Sequence, residues 1–265
     1  QTEASSRWRR SAAINSSPQR IAEAFCLLKV PGLSPNYAAD FLYMKSESSI
    51  IQERLAAVRE NMPEHVTLIA VSKTKPNAAI EAAASMGQVE FGENRVQELA
   101  EKALTLQHLN VRWHHIGHLQ TNKVKQVVPH ADLIHAVDSE KLLLEINKRS
   151  ASIDKVSDVL LQIHIASETN KFGWSFSEFD AFLQQQSWQK LENVRVRGLM
   201  GMATFTENHQ QVRNEFQSLK KAFDASSSMH QDWDTLSMGM SGDWEIAVDE
   251  GSTMVRIGSS IFGSR

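Results

Sequence analysis

From residue 67 onward the chain alternates short, β-rich apolar runs with amphipathic helical stretches, and few folds accept that alternation. The strand-like runs are 67–72, 89–93, 111–116, 133–137, 159–166, 196–202, 235–240 and 255–262. Helical patterns lie between them at about 77–86, 94–108, 118–128, 139–152, 176–187, 208–225 and 243–250. Eight strands with intervening helices is the count of a (β/α)8 TIM barrel, and 265 residues suit one. A further helix over 46–60 carries Ile50, Ile51, Leu55 and Val58 at helical spacing, as an N-terminal plug or final outer helix. A doubly wound sheet alternates too, but it usually carries a glycine fingerprint after its first strand. Here that turn is Lys73-Thr74-Lys75-Pro76.

The first strand is the most informative. Thr67 to Val71 is a near-continuous apolar run, the pattern of a strand buried on both faces of a parallel sheet. Pro76 ends it, and a helix from Asn77 stops at Gly87. Lys73 therefore stands at the carboxyl end of a buried strand, the rim where barrels hold their chemistry. Partial desolvation there lowers an amine's pKa and frees it to form an imine. A rim lysine that merely reaches water is the other reading of the same position.

Each later strand also ends in polar residues. Ser237 and Ser241 lie at the end of the seventh, and Arg256, Gly258 and Ser259 on or just after the eighth. Ser241 and Gly242 before a helix, with the open amides and hydroxyls of Gly258-Ser259-Ser260, suit an anion. Loops after strands 7 and 8 are the recurring phosphate site of barrels, although serine and glycine are also ordinary caps. His114, His115 and His118 have no carboxylate or thiol at metal-ligand spacing, and adjacent strand residues face opposite ways, so packing and hydrogen bonding are expected of them. Met200, Met202, Met238 and Met240 read as barrel filling.

A net charge of −3 gives no general attraction to nucleic acid or anionic membranes. Cys26 is the only cysteine, so an intrachain disulfide is excluded, and no run reaches the length of a membrane span. A reducing, cytoplasmic setting is expected. Residues 1–43 differ from the rest: Arg7, Arg9 and Arg10 cluster among serines, and Pro18, Pro31 and Pro35 interrupt any long element. They read as an unstructured extension or as sequence upstream of a start at Met44, with a faint likeness to a transit peptide, leaving 44–265 as the barrel.

Longer motifs carry a resemblance. They are AVSKTKP (70–76), FGEN-x-VQE (91–98), WH-x-IG-x-LQ-x-NK (113–123), RGLMGM (197–202), LSMGMS-x-D (236–243) and GSTMVRIG-x-x-IFG (251–263). In these the chain resembles the pyridoxal phosphate homeostasis protein family, single barrels of the alanine racemase N-terminal type that bind pyridoxal 5′-phosphate (PLP). The resemblance implies PLP fold type III without the C-terminal β-domain and a Schiff base between PLP and Lys73. It also implies Arg256 against the pyridine nitrogen, Asn94 beside the ring, and Ser241, Gly258 and Ser259 at the phosphate. Ser237 is counted with the cofactor-binding residues. Arg95 stands where the family commonly has Tyr, which leaves the rim after strand 2 open.

The implied function is intracellular PLP homeostasis, buffering or delivering the cofactor to PLP-requiring apoenzymes as a monomer. The alternative is a weakly active PLP-dependent amino-acid racemase or lyase. Racemases of this fold add a second domain and a catalytic tyrosine, whereas the two tyrosines here, Tyr37 and Tyr43, precede the barrel. Lys171, after strand 5, is the reserve candidate for the PLP lysine.

Overall fold

A computed structural model describes residues 35–168, 172–230 and 232–264. Within the compact unit Ile51–Arg265, eight parallel strands close in sequence order. They are β1 (Thr67–Val71), β2 (Glu90–Glu93), β3 (Arg112–His115), β4 (Leu133–Val137), β5 (Ser157–Ile163), β6 (Val194–Gly201), β7 (Thr235–Met240) and β8 (Met254–Ile257). β8 returns to β1 with Leu68 opposite Val255 and Ile69 opposite Arg256, so the sheet has no edge. No helix of the described residues is long and apolar enough to cross a membrane.

Strand alternation produces two cores. Ile69, Leu133, Leu160, Met200 and Met254 pack inside the barrel, with Met202 against them. The larger core lies between barrel and helices and includes Leu68, Ala70, Phe91, Val159, Leu161 and Leu236. Met238 belongs to this outer layer and Met240 is exposed, so two of the four methionines expected to fill the barrel do not. A register shift between Ser237 and Met240 interrupts the regular pairing of β7 with β8.

Three expected boundaries move. The eighth strand ends at Ile257, and Ser259–Phe262 form a helical turn closed by Phe262 N–H donating to the Gly258 carbonyl at 2.8 Å. A side chain on Gly258 would approach the Val71 carbonyl at 3.1 Å. Glycine thus lets β8 pass close to β1 before the chain turns away. The helix expected over 118–128 is reduced to a 3-10 turn at Thr121–Lys123 and a single turn at Val124–Val127. The first helix starts at Pro35 and runs to Glu60, so the expected break at 43 falls inside it. Proline's missing N–H costs nothing in a first helical turn, where it has no intrahelical acceptor.

His115 on β3 is fully buried, and neither ring nitrogen has a partner among the described residues. Burial, with the nearby charge of His118, lowers its pKa to about 4. The unfolded ring titrates near about 6.5. Its contribution to stability is therefore complete above that pH and is lost as pH falls toward the folded value. Replacing His115 with Leu should leave melting at pH 7.5 little changed. It should also recover roughly 2 kcal/mol of the stability that the wild type loses on going to pH 5. Denaturant melts at both pH values measure this, and an unaltered pH dependence in the variant would refute the neutral, unpartnered ring.

Candidate functional site

The turn after β1 is held on both sides of Lys73. Ser72 precedes it: its hydroxyl donates to Glu93 Oε1 at 2.6 Å, and its carbonyl accepts from Lys102 Nζ at 2.9 Å. Lys102 also reaches Glu93 Oε1 at 2.7 Å, closing a buried ring of contacts. Thr74 follows Lys73 in the left-handed region, φ 65°, and its N–H donates to Glu98 Oε2 at 2.7 Å. Lys75 Nζ donates to the Phe262 carbonyl at 2.9 Å, tying this turn to the loop after β8. The half-buried Lys73 thus leaves a backbone fixed before and after it. Burial raises the Glu93 carboxyl above its ordinary value despite the opposing Lys102 and Ser72 hydrogen bonds.

Lys73 opens into a cleft of about 870 Å³ at the carboxyl end of the barrel. On its floor Arg256 is 4% exposed. Its Nη2 donates to the Gly201 carbonyl at 3.0 Å, and its Nη1 donates to the Ser237 carbonyl at 2.9 Å and to Ser237 Oγ at 2.5 Å. Burial, partly offset by Asp243, lowers the guanidinium pKa to about 10, which still leaves it a cation at neutral pH. The loops after β7 and β8 meet where the Gly258 N–H donates to Ser241 Oγ at 3.2 Å, with Ser259 exposed beside them. Across the cleft, a side chain at Gly117 would sit 2.3 Å from the Asn94 carbonyl. That close approach fixes Asn94 at the wall, where its buried Oδ1 has no partner among the described residues.

Lys73, Asn94, Ser241, Arg256, Gly258 and Ser259 therefore line one cleft, as the sequence led one to expect. Ser237 lies deeper than the other six. It is fully buried and holds Arg256 from beneath, so it does not line the cleft. Lys171 lies outside the described residues. Arg95 is turned away from the cleft and pairs with Glu98 at 3.5 Å.

The sequence reading missed the outer wall. His118 stacks on Phe172 with ring centroids 3.7 Å apart and bonds Asp138 through Nδ1 at 3.0 Å. Gln162 Nε2 holds the Phe172 carbonyl at 2.8 Å, and Phe205 is almost fully exposed at the mouth. An aromatic residue, Phe205, in the polar stretch just after the sixth strand was the available signal.

Fold and site define a class: the profile described as "Alanine racemase, N-terminal domain" matches residues 47–265. Alanine racemase of Clostridium difficile 630 superposes with a TM-score of 0.67 at 15% identity, covering 82% of this chain and 56% of that one, a likeness of fold alone. Sequence relatives narrow the class. The pyridoxal phosphate homeostasis protein of Vibrio alginolyticus is 40% identical over 210 residues, 77% of this chain and 88% of its own. Its counterpart in Escherichia coli K12 is 38% identical over 228 residues, 81% of this chain and 97% of its own. PipY of Synechococcus elongatus PCC7942, solved with PLP bound, has a TM-score of 0.74 and 38% identity, covering 80% of this chain and 100% of that one. The chain belongs to the pyridoxal phosphate homeostasis protein family.

The clamp around Lys73 makes Lys102 the residue to remove. Lys102→Met leaves the Glu93 carboxylate buried without its cation, and breaking such a pair costs about 3–5 kcal/mol. Urea unfolding should register that loss. A cost under about 1 kcal/mol would mean that Glu93 takes up a proton and the clamp is not ionic.

Proposed function

We propose that this chain binds PLP as a Schiff base on Lys73 and acts in PLP homeostasis, holding and delivering the cofactor rather than turning over a substrate. The observation that carries the reading is the convergence in one cleft of a fixed lysine, a buried guanidinium, an unpartnered Asn94 Oδ1 and the Ser241–Gly258–Ser259 cradle. That set fits the cofactor group by group: an amine for its aldehyde, hydroxyls and amides for its phosphate, and a cation for its ring nitrogen. Membership in a family with a PLP-bound relative supports the same reading.

When bound, PLP supplies an aldehyde for amines and an electron-withdrawing ring. A protonated pyridine nitrogen strengthens the ring as an electron sink, and turnover also needs a second acid or base. Arg256 opposes the first, because its permanent charge disfavours another positive charge beside it. Among the described residues, two other titratable side chains line the cleft, His118 and Asp243. His118 Nδ1 is bonded to Asp138 at 3.0 Å, and Asp243 Oδ1 accepts the Met240 N–H at 2.6 Å. The two tyrosines of the chain precede the barrel.

Lys73→Ala should abolish covalent PLP, read as loss of the visible absorption band and of the borohydride-fixed peptide. Lys75 is not expected to substitute, since its Nζ is bonded to the Phe262 carbonyl. A labelled peptide retained in Lys73→Ala would overturn the assignment. Arg256→Glu tests the carrier reading: a carboxylate there favours protonation of the ring nitrogen. The variant should bind PLP more weakly and gain slow deuterium exchange at the α-carbon of alanine, followed by NMR. Fast exchange in the wild type would instead establish the racemase or lyase alternative.

A further inference from the structure

Arg256 is a buried cation held by three acceptors, none of them a carboxylate. Asp243 is the carboxylate that offsets its burial, and the groups that fix its direction lie beneath it. A continuous line of side chains leads from it across the barrel. Arg256 Nη1 contacts Ser237 Oγ at 2.5 Å, and Ser237 Oγ lies 3.2 Å from His135 Nδ1. His135 Nε2 is 2.9 Å from His114 Nδ1, and His114 Nε2 is 2.7 Å from Glu90 Oε2. Both histidines and Ser237 are buried, on β4, β3 and β7. Glu90 begins β2 at the opposite, amino end of the barrel, beside a cavity of about 470 Å³, where Arg112 pairs with it.

With both rings neutral, the two ends of this line fix the direction of every hydrogen bond in it. Arginine has no acceptor, so Ser237 Oγ accepts there and turns its own proton to His135 Nδ1. His135 is then the Nε2–H tautomer and donates to His114 Nδ1. His114 is likewise the Nε2–H tautomer and donates to Glu90, which as a carboxylate only accepts. Two neutral rings satisfy all four links. Burial, with the charge of Arg256, keeps His135 well below the usual histidine range. Burial pushes the Glu90 carboxyl up, but His114 and Arg112 outweigh it, so its pKa ends below its ordinary value and it is ionised.

We propose that Glu90, His114, His135 and Ser237 form a one-way hydrogen-bond chain through the barrel that aims Arg256 at the cofactor ring. The aligned dipoles run from the carboxyl end to the amino mouth, where Glu90 pairs with Arg112. These four are positioning residues, and the proposal rests on the reading of the cleft as a PLP site.

Two measurements test it, the first without cofactor. Nitrogen-15 NMR of the apoprotein at pH 7.5 should find His114 and His135 both neutral and both protonated on Nε2; an Nδ1–H tautomer or an imidazolium at either ring overturns the chain. The second is a double-mutant cycle of Glu90→Gln and Ser237→Ala read as PLP Kd. Each single change should weaken binding about tenfold. Because either one already cuts the line, the double variant should be no weaker than the worse single. Losses that multiply would mean the residues act separately, and overturn the proposal. A wild type that binds no PLP would overturn the functional reading instead, with the NMR tautomers still deciding the chain.

Discussion

A guanidinium inside the barrel is the constraint to which the rest of this molecule answers. Arg256 faces inward from β8 opposite Ile69, in the layer that other strands fill with leucine, isoleucine and methionine. Interior volume alone would favour another apolar side chain at that position. The surrounding strands instead turn polar atoms toward it: the Gly201 carbonyl at the end of β6, and the carbonyl and hydroxyl of Ser237 on β7. The polar line from Ser237 to Glu90 then takes up lumen space beside the methionines and leucines. Cation, packing and polar line are parts of one arrangement.

The same economy governs the opposite wall. Lys73 is useful only if its amine is aimed and not wandering, and a lysine has four rotatable bonds to lose. The backbone on either side of it is fixed by groups from β2 and the helix Val96–Thr105, namely Glu93, Glu98 and Lys102. Lys75 joins that turn to the β8 loop that presents Gly258 and Ser259. The amine and the proposed phosphate cradle thus share one rigid support.

Much of this was legible in the chain because it depends on local pattern. The run from Thr67 to Val71 has the pattern of a strand covered on both faces, which puts Lys73 at the carboxyl rim. Gly258, Ser259 and Ser241 were found by the same logic of strand ends. Ser237 was grouped with them, but it lies deeper than the rim, and depth is set by the stagger of strands, which no local period encodes. The pairing of Glu90 with His114 was invisible for a related reason. It depends on register between strands, and the histidines were weighed as metal ligands by their spacing along one strand. Pro35 misled through context, since proline interrupts a helix interior but suits its start.

The carboxylates at the carboxyl rim complete the electrostatic picture. Glu93 accepts from Lys102 and Ser72, Glu98 from Thr74, Asp138 faces His118, and Asp243 accepts from Met240. Each spends charge on holding its own loop. A hydrogen-bonded carboxylate projects less field into a neighbouring cleft than a free one, because its donors already oppose it. Lys73 and Arg256 then set the sign of the field at the floor and the inner wall. A phosphate ester entering from solvent moves toward positive charge at both ends of its path, while an amino-acid carboxylate must compete with that phosphate for the same groups.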